Sequence, residues 1–379
     1  MSAGTFDPWQ QVFTMSMLAN RNSQTPGGTN TLQGDLAGIL QEALTDPGTG
    51  YQALIGSSWE VAWGPCVYEH KTDGIGDWVE DNAMFVAHNT ASNMYVVAIA
   101  ATNPISKFDK LMEDAAVHSI KDWPYGQTLP SGASFPAGVA IAPGTSVGVN
   151  ILQKMQDPTT GQQLAVFLQS VQSTSATLVF AGHSLAGALA PTLACALITQ
   201  GDLDPSQWAH VYVYPTAGPT PGNAGFVTLF ATLFPRTTVG SQPWQVWNSL
   251  LWNSLDMVPH AWDSTTLSKI ATLYGKTVPA GPIVTGILLL AEMSAQNQGY
   301  QQLLSNGSLP GTVFPPANPL TVPFKVPFLF SGHDAKAFLA QAFHQHGPAY
   351  FSFFQVPDLL TLLNSGNPTP AAPAAAGGA

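Results

Sequence analysis

The chain has 379 residues, of which 45% are hydrophobic, and a formal net charge of −11 from 22 acidic and 11 basic side chains. This apolar fraction excludes an intrinsically disordered chain, and the scarcity of Lys and Arg argues against a nucleic-acid partner. Because the charge is negative, any contact with a lipid interface is expected to be transient and apolar rather than electrostatic. The oligomeric state is left open.

Neither a secretory signal nor a membrane span is expected from this sequence. The first basic residue is Arg21, so the basic start of a secretory signal is absent. The most apolar run, 283–291, is far shorter than the ~20 residues that span a membrane. We therefore expect a soluble protein, with its compartment left open. Two cysteines, Cys66 and Cys195, are too few for a disulfide framework or a zinc cluster.

Hydrophobic periodicity predicts helices near the N-terminus, then an apolar hairpin, then strands that alternate with helices. Such alternation is typical of a parallel sheet that helices cover on both faces. The predicted helices are 5–22, 32–44, 103–125, 162–171, 188–198, 223–233, 281–305 and 334–343. The predicted strands are 59–68, 82–88, 94–100, 176–181, 209–214 and 243–248.

The chain divides into three parts by composition and pattern. Residues 1–58 form an N-terminal helical extension. Residues 59–364 form an α/β domain with a mostly parallel twisted sheet, and an irregular, cap-like insertion interrupts it at about 263–343. Residues 365–379 are rich in Pro, Ala and Gly, which predicts a disordered tail.

The turn around Ser184 has the features of a nucleophile. It follows a predicted strand and precedes an apolar helix, and its neighbours Gly182, Ala186 and Gly187 are small. A sharp strand-to-helix turn lifts the hydroxyl off the sheet and places backbone N–H groups beside it. Ala186 stands where the G-x-S-x-G pattern has its second glycine. The alternative is a glycine-rich turn in which the serine only caps the helix.

Several segments together resemble the fungal-type (class 3) lipases, a branch of the α/β-hydrolase superfamily. The segments that carry the resemblance are 95–104, 178–190, 213–223 and 253–260, with a short piece near 346. The resemblance covers roughly residues 80–262, and it implies an α/β-hydrolase fold and a Ser-His-Asp triad that hydrolyses lipid or other acyl esters. The first 60 residues and the insertion lie outside it.

The acid and the base of such a triad follow the serine along the chain. Asp256 follows the segment 243–252 and matches the D-x-V-P position of the family, where it would orient the imidazole. The alternative is a solvated aspartate that caps a turn. Asp202 and Asp204 belong to a predicted surface turn.

Four histidines follow Asp256, and His260 is too close to that residue to reach Ser184. His346 is preferred as the base because the sequence from His346 to Tyr350 resembles the His loop of the family, and the Gly-Pro pair that follows predicts a turn there. His344 is the alternative base. The competing interpretation is a metal site built from the nearby group His333, Asp334, His344 and His346.

The oxyanion hole is predicted from Leu185 N–H and from Thr102, which follows the strand 94–100. The family usually has Arg-Gly-Thr where this chain has Ala100-Ala101-Thr102. The segment 103–125 is either a lid, as its position in the family implies, or an amphipathic helix packed on the core.

The sequence predicts a serine carboxylic ester hydrolase, a lipase or esterase, that needs no metal and no organic cofactor. Phospholipase A1 or polyester depolymerase activity would use the same triad. The third hypothesis is a catalytically silent, hydrolase-like binding protein, which Ala186 and the Ala100-Ala101 pair favour slightly.

Overall fold

The computed structural model describes residues 5–22, 25, 27–71, 78–101, 119–303, 307–313 and 333–365. The strands are β1 (Trp59–Lys71), β2 (Trp78–Asn89), β3 (Met94–Ala101), β4 (Lys121–Asp122), β5 (Ala140–Ile141), β6 (Thr177–His183), β7 (His210–Thr216), β8 (Thr237–Thr238) and β9 (Val246–Trp247). The helices are α1 (Pro8–Ala19), α2 (Thr29–Thr45), α3 (Tyr51–Ile55), α4 (Pro143–Lys154), α5 (Leu164–Val171), α6 (Ala186–Gln200), α7 (Ala224–Leu233), α8 (Ser264–Leu267), α9 (Gly281–Ala295), α10 (His333–His346), α11 (Pro348–Phe353) and α12 (Pro357–Ser365).

The central sheet has the strand order β1-β2-β3-β6-β7. The pairs β1/β2 and β2/β3 are antiparallel, whereas β3/β6 and β6/β7 are parallel. The carboxyl ends of the three parallel strands therefore meet at one edge of the sheet, which is where ligands bind in open α/β sheets. The predicted α/β-hydrolase fold is confirmed, with an antiparallel pair of strands beside the parallel centre.

Both faces of the sheet are apolar. Residues of a strand point alternately to opposite sides, so a strand of apolar residues contributes to both cores. In β3, Val97 and Ile99 lie in the core under α4–α7, and Val96 and Ala98 lie in the core under α1–α3, α11 and α12. The N-terminal helices thus cover one face of the sheet together with α11 and α12. Whether residues 1–58 also form a separate unit stays a prediction.

A third apolar cluster lies beside the sheet rather than on it. It joins α8 and α9, which belong to the predicted insertion, to α10 and to the segment around Met257. Val284 and Leu288 of α9 are buried in it, as is Phe338 of α10. The cluster therefore holds the helix that carries His346.

Residues 119–125 contain no helix, so the predicted helix 103–125 is wrong over this part. β4 pairs with β5, and Trp123 and Tyr125 are buried on either side of the exposed Pro124. Pro124 lacks the N–H that a helix interior needs, which disfavours a helix at this place. Residues 102–118 lie outside the described residues, so the lid hypothesis remains untested.

Other elements also differ from the predicted ones. The segment expected as a strand at 243–248 is reduced to β9, which pairs with β8 outside the central sheet. The helix expected at 281–305 ends at Ala295, and α4 (Pro143–Lys154) lies where no helix was predicted. The predicted tail falls outside the described residues beyond Ser365. No helix within the described ranges has the length and apolar content of a membrane span.

Candidate active site

Ser184 occupies a sharp turn between β6 and α6. Its φ of 65° lies in the left-handed region, which is uncommon for any residue other than glycine. The Ser184 N–H donates to Thr216 O over 3.0 Å, so the turn is fixed to the end of the neighbouring strand β7. The sequence prediction of a strand, a turn and a helix at this place is confirmed.

The small residues of the turn are needed because backbones approach closely there. A Cβ on Gly182 would lie 2.3 Å from Ala186 O, and one on Gly187 would lie 2.6 Å from Thr216 O. Gly218 faces Gly187 with the same restriction, since its Cβ would lie 2.6 Å from Gly187 C. The methyl group of Ala186 is fully buried. The turn therefore accommodates the methyl group of Ala186 but requires glycine at positions 182 and 187.

His346 lies between Ser184 and Asp256. Its Nε2 is 2.8 Å from Ser184 Oγ, and its Nδ1 is 2.9 Å and 3.0 Å from the two carboxylate oxygens of Asp256. A carboxylate only accepts hydrogen bonds, so Nδ1 carries the proton and Nε2 accepts from the serine hydroxyl. This is the arrangement in which an imidazole can take a proton from a serine.

The base is the last residue of α10, which corrects the expectation that it lies on a turn. The helix ends immediately after it, because Pro348 begins the next helix after Gly347. His344 lies two residues earlier, about 200° around the helix, so it faces another direction. The structure thus brings His346, and not His344, against Ser184.

Asp256 is fully buried and accepts three kinds of donor. Besides His346, the Val258 N–H donates to Oδ1 over 3.0 Å and the Tyr350 hydroxyl donates to Oδ2 over 2.7 Å. Such charge-assisted bonds compensate the loss of solvation of a buried carboxylate. Asp256 is therefore not the solvated turn residue of the alternative hypothesis.

Tyr350 is a member of the site whose contact the sequence did not reveal. Its hydroxyl accepts from the Asn253 N–H over 3.0 Å and donates to Asp256. Burial, and after it the charge of Asp256, raises the pKa of Tyr350 well above its ordinary value, so the hydroxyl stays protonated. The only sequence signal was an aromatic residue shortly after His346.

Leu185 is well placed to bind an oxyanion. It precedes the first turn of α6, and its N–H has no partner among the described residues. Unpaired amides and the helix dipole favour negative charge at this end of a helix. Thr102, the other predicted donor, lies outside the described residues, so its role stays a prediction.

The remaining histidines and cysteines of the sequence analysis have other surroundings. His260 packs edge-on against Trp252, at 5.1 Å between ring centroids, and burial lowers its pKa. Both cysteines are free and buried. Within the described ranges there is no group of three or more His, Cys, Asp and Glu side chains suited to a metal ion. Both ring nitrogens of His346 are occupied by Ser184 and Asp256.

Comparisons with known proteins found solved structures that are similar to this one. No family model and no curated protein matches the sequence. The structure is similar to the crystal structure of M37 lipase, with 25% sequence identity, a TM-score of 0.71 and coverage of 95% of this chain and 96% of that chain. A lipase structure from Rhizomucor miehei is 13% identical, with a TM-score of 0.39 and coverage of 68% of this chain and 63% of that chain. A lipase structure from Yarrowia lipolytica is 15% identical, with a TM-score of 0.39 and coverage of 68% of this chain and 76% of that chain.

Proposed function

We propose that this carboxylic ester hydrolase is a fungal-type lipase of the α/β-hydrolase superfamily and acts through a triad of Ser184, His346 and Asp256. The observation that carries the proposal is the unbroken chain of hydrogen bonds from the Ser184 hydroxyl through His346 to Asp256, at 2.8 and 2.9 Å. All three side chains are buried at one edge of the sheet.

The reaction begins when Ser184 Oγ attacks the acyl carbonyl carbon and His346 Nε2 takes the hydroxyl proton. The negative charge on the carbonyl oxygen is bound by Leu185 N–H and, as predicted, by Thr102. His346 then gives its proton to the leaving alcohol, and an acyl-enzyme forms. Water repeats the sequence and releases the acid, while Asp256 stabilises the imidazolium at each step.

A fluorophosphonate probe tests this proposal on the intact protein. The probe forms a covalent bond only with an activated serine, so we expect a single adduct on Ser184. Mass spectrometry of the digested protein identifies the modified peptide. A folded protein that takes up no probe would instead support the catalytically silent, hydrolase-like binding protein.

An apolar face of α9 supports a lipid as the substrate. Leu289, Leu290 and Met293 are 56%, 63% and 63% exposed, although they are large hydrophobic side chains. The opposite side of α9 packs on the cluster that holds α10, which carries His346. This part of the surface has no basic residue on α9, so apolar contact would dominate its binding to a lipid surface.

We expect the double variant Leu289→Ser/Leu290→Ser to hydrolyse emulsified triacylglycerol at least about tenfold more slowly, since each leucine loses about 1.5–3 kcal/mol of apolar transfer. Hydrolysis of p-nitrophenyl acetate, which is dissolved, should stay unchanged. Both rates are measured on the same preparations.

The matched control is Val166→Ser, because Val166 is an exposed apolar residue of a different helix, α5. This control should leave both rates unchanged. Equal losses on the dissolved and the emulsified substrate would mean that α9 affects the site itself. Unchanged hydrolysis of the emulsion would show that α9 takes no part in lipid contact. Phospholipid and polyester substrates in the same assay separate the other two ester classes.

A further inference from the structure

We propose that His183 is a positioning residue that holds the backbone of the catalytic base, His346, at the correct distance from Ser184. The inference rests on the proposed function, because it assigns a role within the same triad. His183 is not a member of the triad and takes no part in its proton transfer.

The His183 imidazole connects two chain segments that come from different parts of the sequence. Its Nε2 is 2.9 Å from the backbone oxygen of His346, and its Nδ1 is 2.9 Å from Thr216 Oγ1. The next residue along the chain is Ser184, whose N–H donates to the backbone oxygen of Thr216. One ring therefore links the nucleophile turn, the end of β7 and the end of α10.

The protonation state of His183 follows from its surroundings. Burial lowers the pKa of His183 to about 3, and the neighbouring His346 is the second cause. The His183 ring is therefore neutral near pH 7, where an imidazole acts as a base. A carbonyl oxygen only accepts hydrogen bonds, so the single ring proton is on Nε2 and is donated to His346 O. Nδ1 then accepts from the Thr216 hydroxyl.

The backbone oxygen of His346 needs such a donor because it lies at the end of a helix. Pro348 has no N–H, and the N–H of Tyr350 donates to Gly347 O instead. The carbonyl of His346 is therefore held by the side chain of His183. This bond fixes the last residue of α10, and with it the origin of the catalytic imidazole.

The His183 ring itself is held in place by packing. It makes edge contacts with Phe13 of α1 and with Tyr350 of α11, at 6.2 and 5.0 Å between ring centroids. Tyr350 also donates to Asp256, so the ring that positions the base touches the side chain that orients the acid. A shift of the His183 ring would therefore displace both His346 and Asp256.

Two variants of nearly the same size test the bond to His346. The amide nitrogen of a glutamine can occupy the place of Nε2, whereas an asparagine is one methylene shorter and reaches only the place of Nδ1. We expect His183→Asn to lower kcat for a dissolved ester about 100-fold, because a displaced base no longer aligns with Ser184. His183→Gln should stay within about tenfold of the wild type.

The change should appear in kcat, with KM altered less than about threefold, because His183 does not touch the substrate. The rate of fluorophosphonate labelling of Ser184 should fall in parallel. Equal kcat values for the Asn and Gln variants, whether both are high or both are low, would overturn the proposal. Thermal unfolding of both variants shows whether they fold.

A measurement on the unaltered protein keeps the proposal testable if a variant does not fold. In the ¹⁵N-histidine spectrum we expect His183 to remain the neutral Nε2–H tautomer between about pH 5 and pH 9. An Nδ1–H tautomer, or titration within this range, would overturn the inference. This result is independent of the proposed function, which fails separately if the wild type neither hydrolyses esters nor is labelled at Ser184.

Discussion

Replacing Ser184 with alanine is expected to lower kcat/KM for p-nitrophenyl esters by about 10⁵-fold or more. The variant lacks the oxygen that attacks the carbonyl, and His346 loses the hydroxyl that lies 2.8 Å from its Nε2. Any remaining hydrolysis would come from the oxyanion hole and substrate binding alone. Initial rates and fluorophosphonate labelling measure both consequences on the same protein.

The fold should survive this substitution, because an alanine side chain keeps the Cβ that Ser184 already carries in its left-handed conformation. Ser206→Ala is the control, since Ser206 is an exposed serine in a surface turn and is not a member of the triad. We expect this variant to match the wild type in rate and labelling. Normal hydrolysis by a folded Ser184→Ala variant would contradict the proposed nucleophile.

The strands that carry the site were predictable because they are buried on both faces. β6 and β3 read as short apolar runs, and the structure places their ends within two residues of the predicted ones. The long helix α6 follows from the Ala-rich run after the glycine turn. In these elements local sequence and tertiary burial favour the same structure.

Elements that depend on distant partners were not predictable in the same way. Trp123 and Tyr125 do not form a helix, because their side chains are buried in the core with Val139. The Trp123 N–H donates to Val139 O. The segment that includes β9 lies beside β7, where Asn248 N–H donates to Val213 O and Leu251 N–H donates to Pro215 O. It forms an isolated bridge there, between Thr216 and Leu251, rather than a further strand of the sheet. Apolar content alone does not show whether such a run extends a sheet or packs beside it.

The three residues of the candidate triad were predicted from their order along the chain together with the resemblance to the lipase family, because order alone left several acids and histidines open. The structure brings Ser184, His346 and Asp256 into one hydrogen-bonded chain, and their catalytic role is the proposal that labelling tests. Tyr350 and His183 needed three dimensions. Their contacts join segments that are distant in sequence, for which no local pattern exists.

The substitution Asp256→Asn is expected to lower kcat about 10⁴-fold while the protein stays folded. All three neighbours of the carboxylate donate to it: His346 Nδ1–H, the Tyr350 hydroxyl and the Val258 N–H. An asparagine has one acceptor oxygen, so its amide group would face at least one of these donors. His346 can avoid this conflict by moving its proton to Nε2, and in that tautomer it cannot accept the proton of Ser184.

Asp204→Asn is the matched control, because Asp204 is an exposed aspartate that caps a surface turn through the Ser206 N–H. Its rate should equal that of the wild type. The ¹⁵N-histidine spectrum of the Asp256→Asn variant should show His346 as the Nε2–H tautomer, which ties the lost rate to the wrong proton position rather than to a displaced ring. A variant with normal kcat, or with His346 still protonated on Nδ1 despite a large loss of rate, would show that the buried carboxylate does not act by fixing this tautomer.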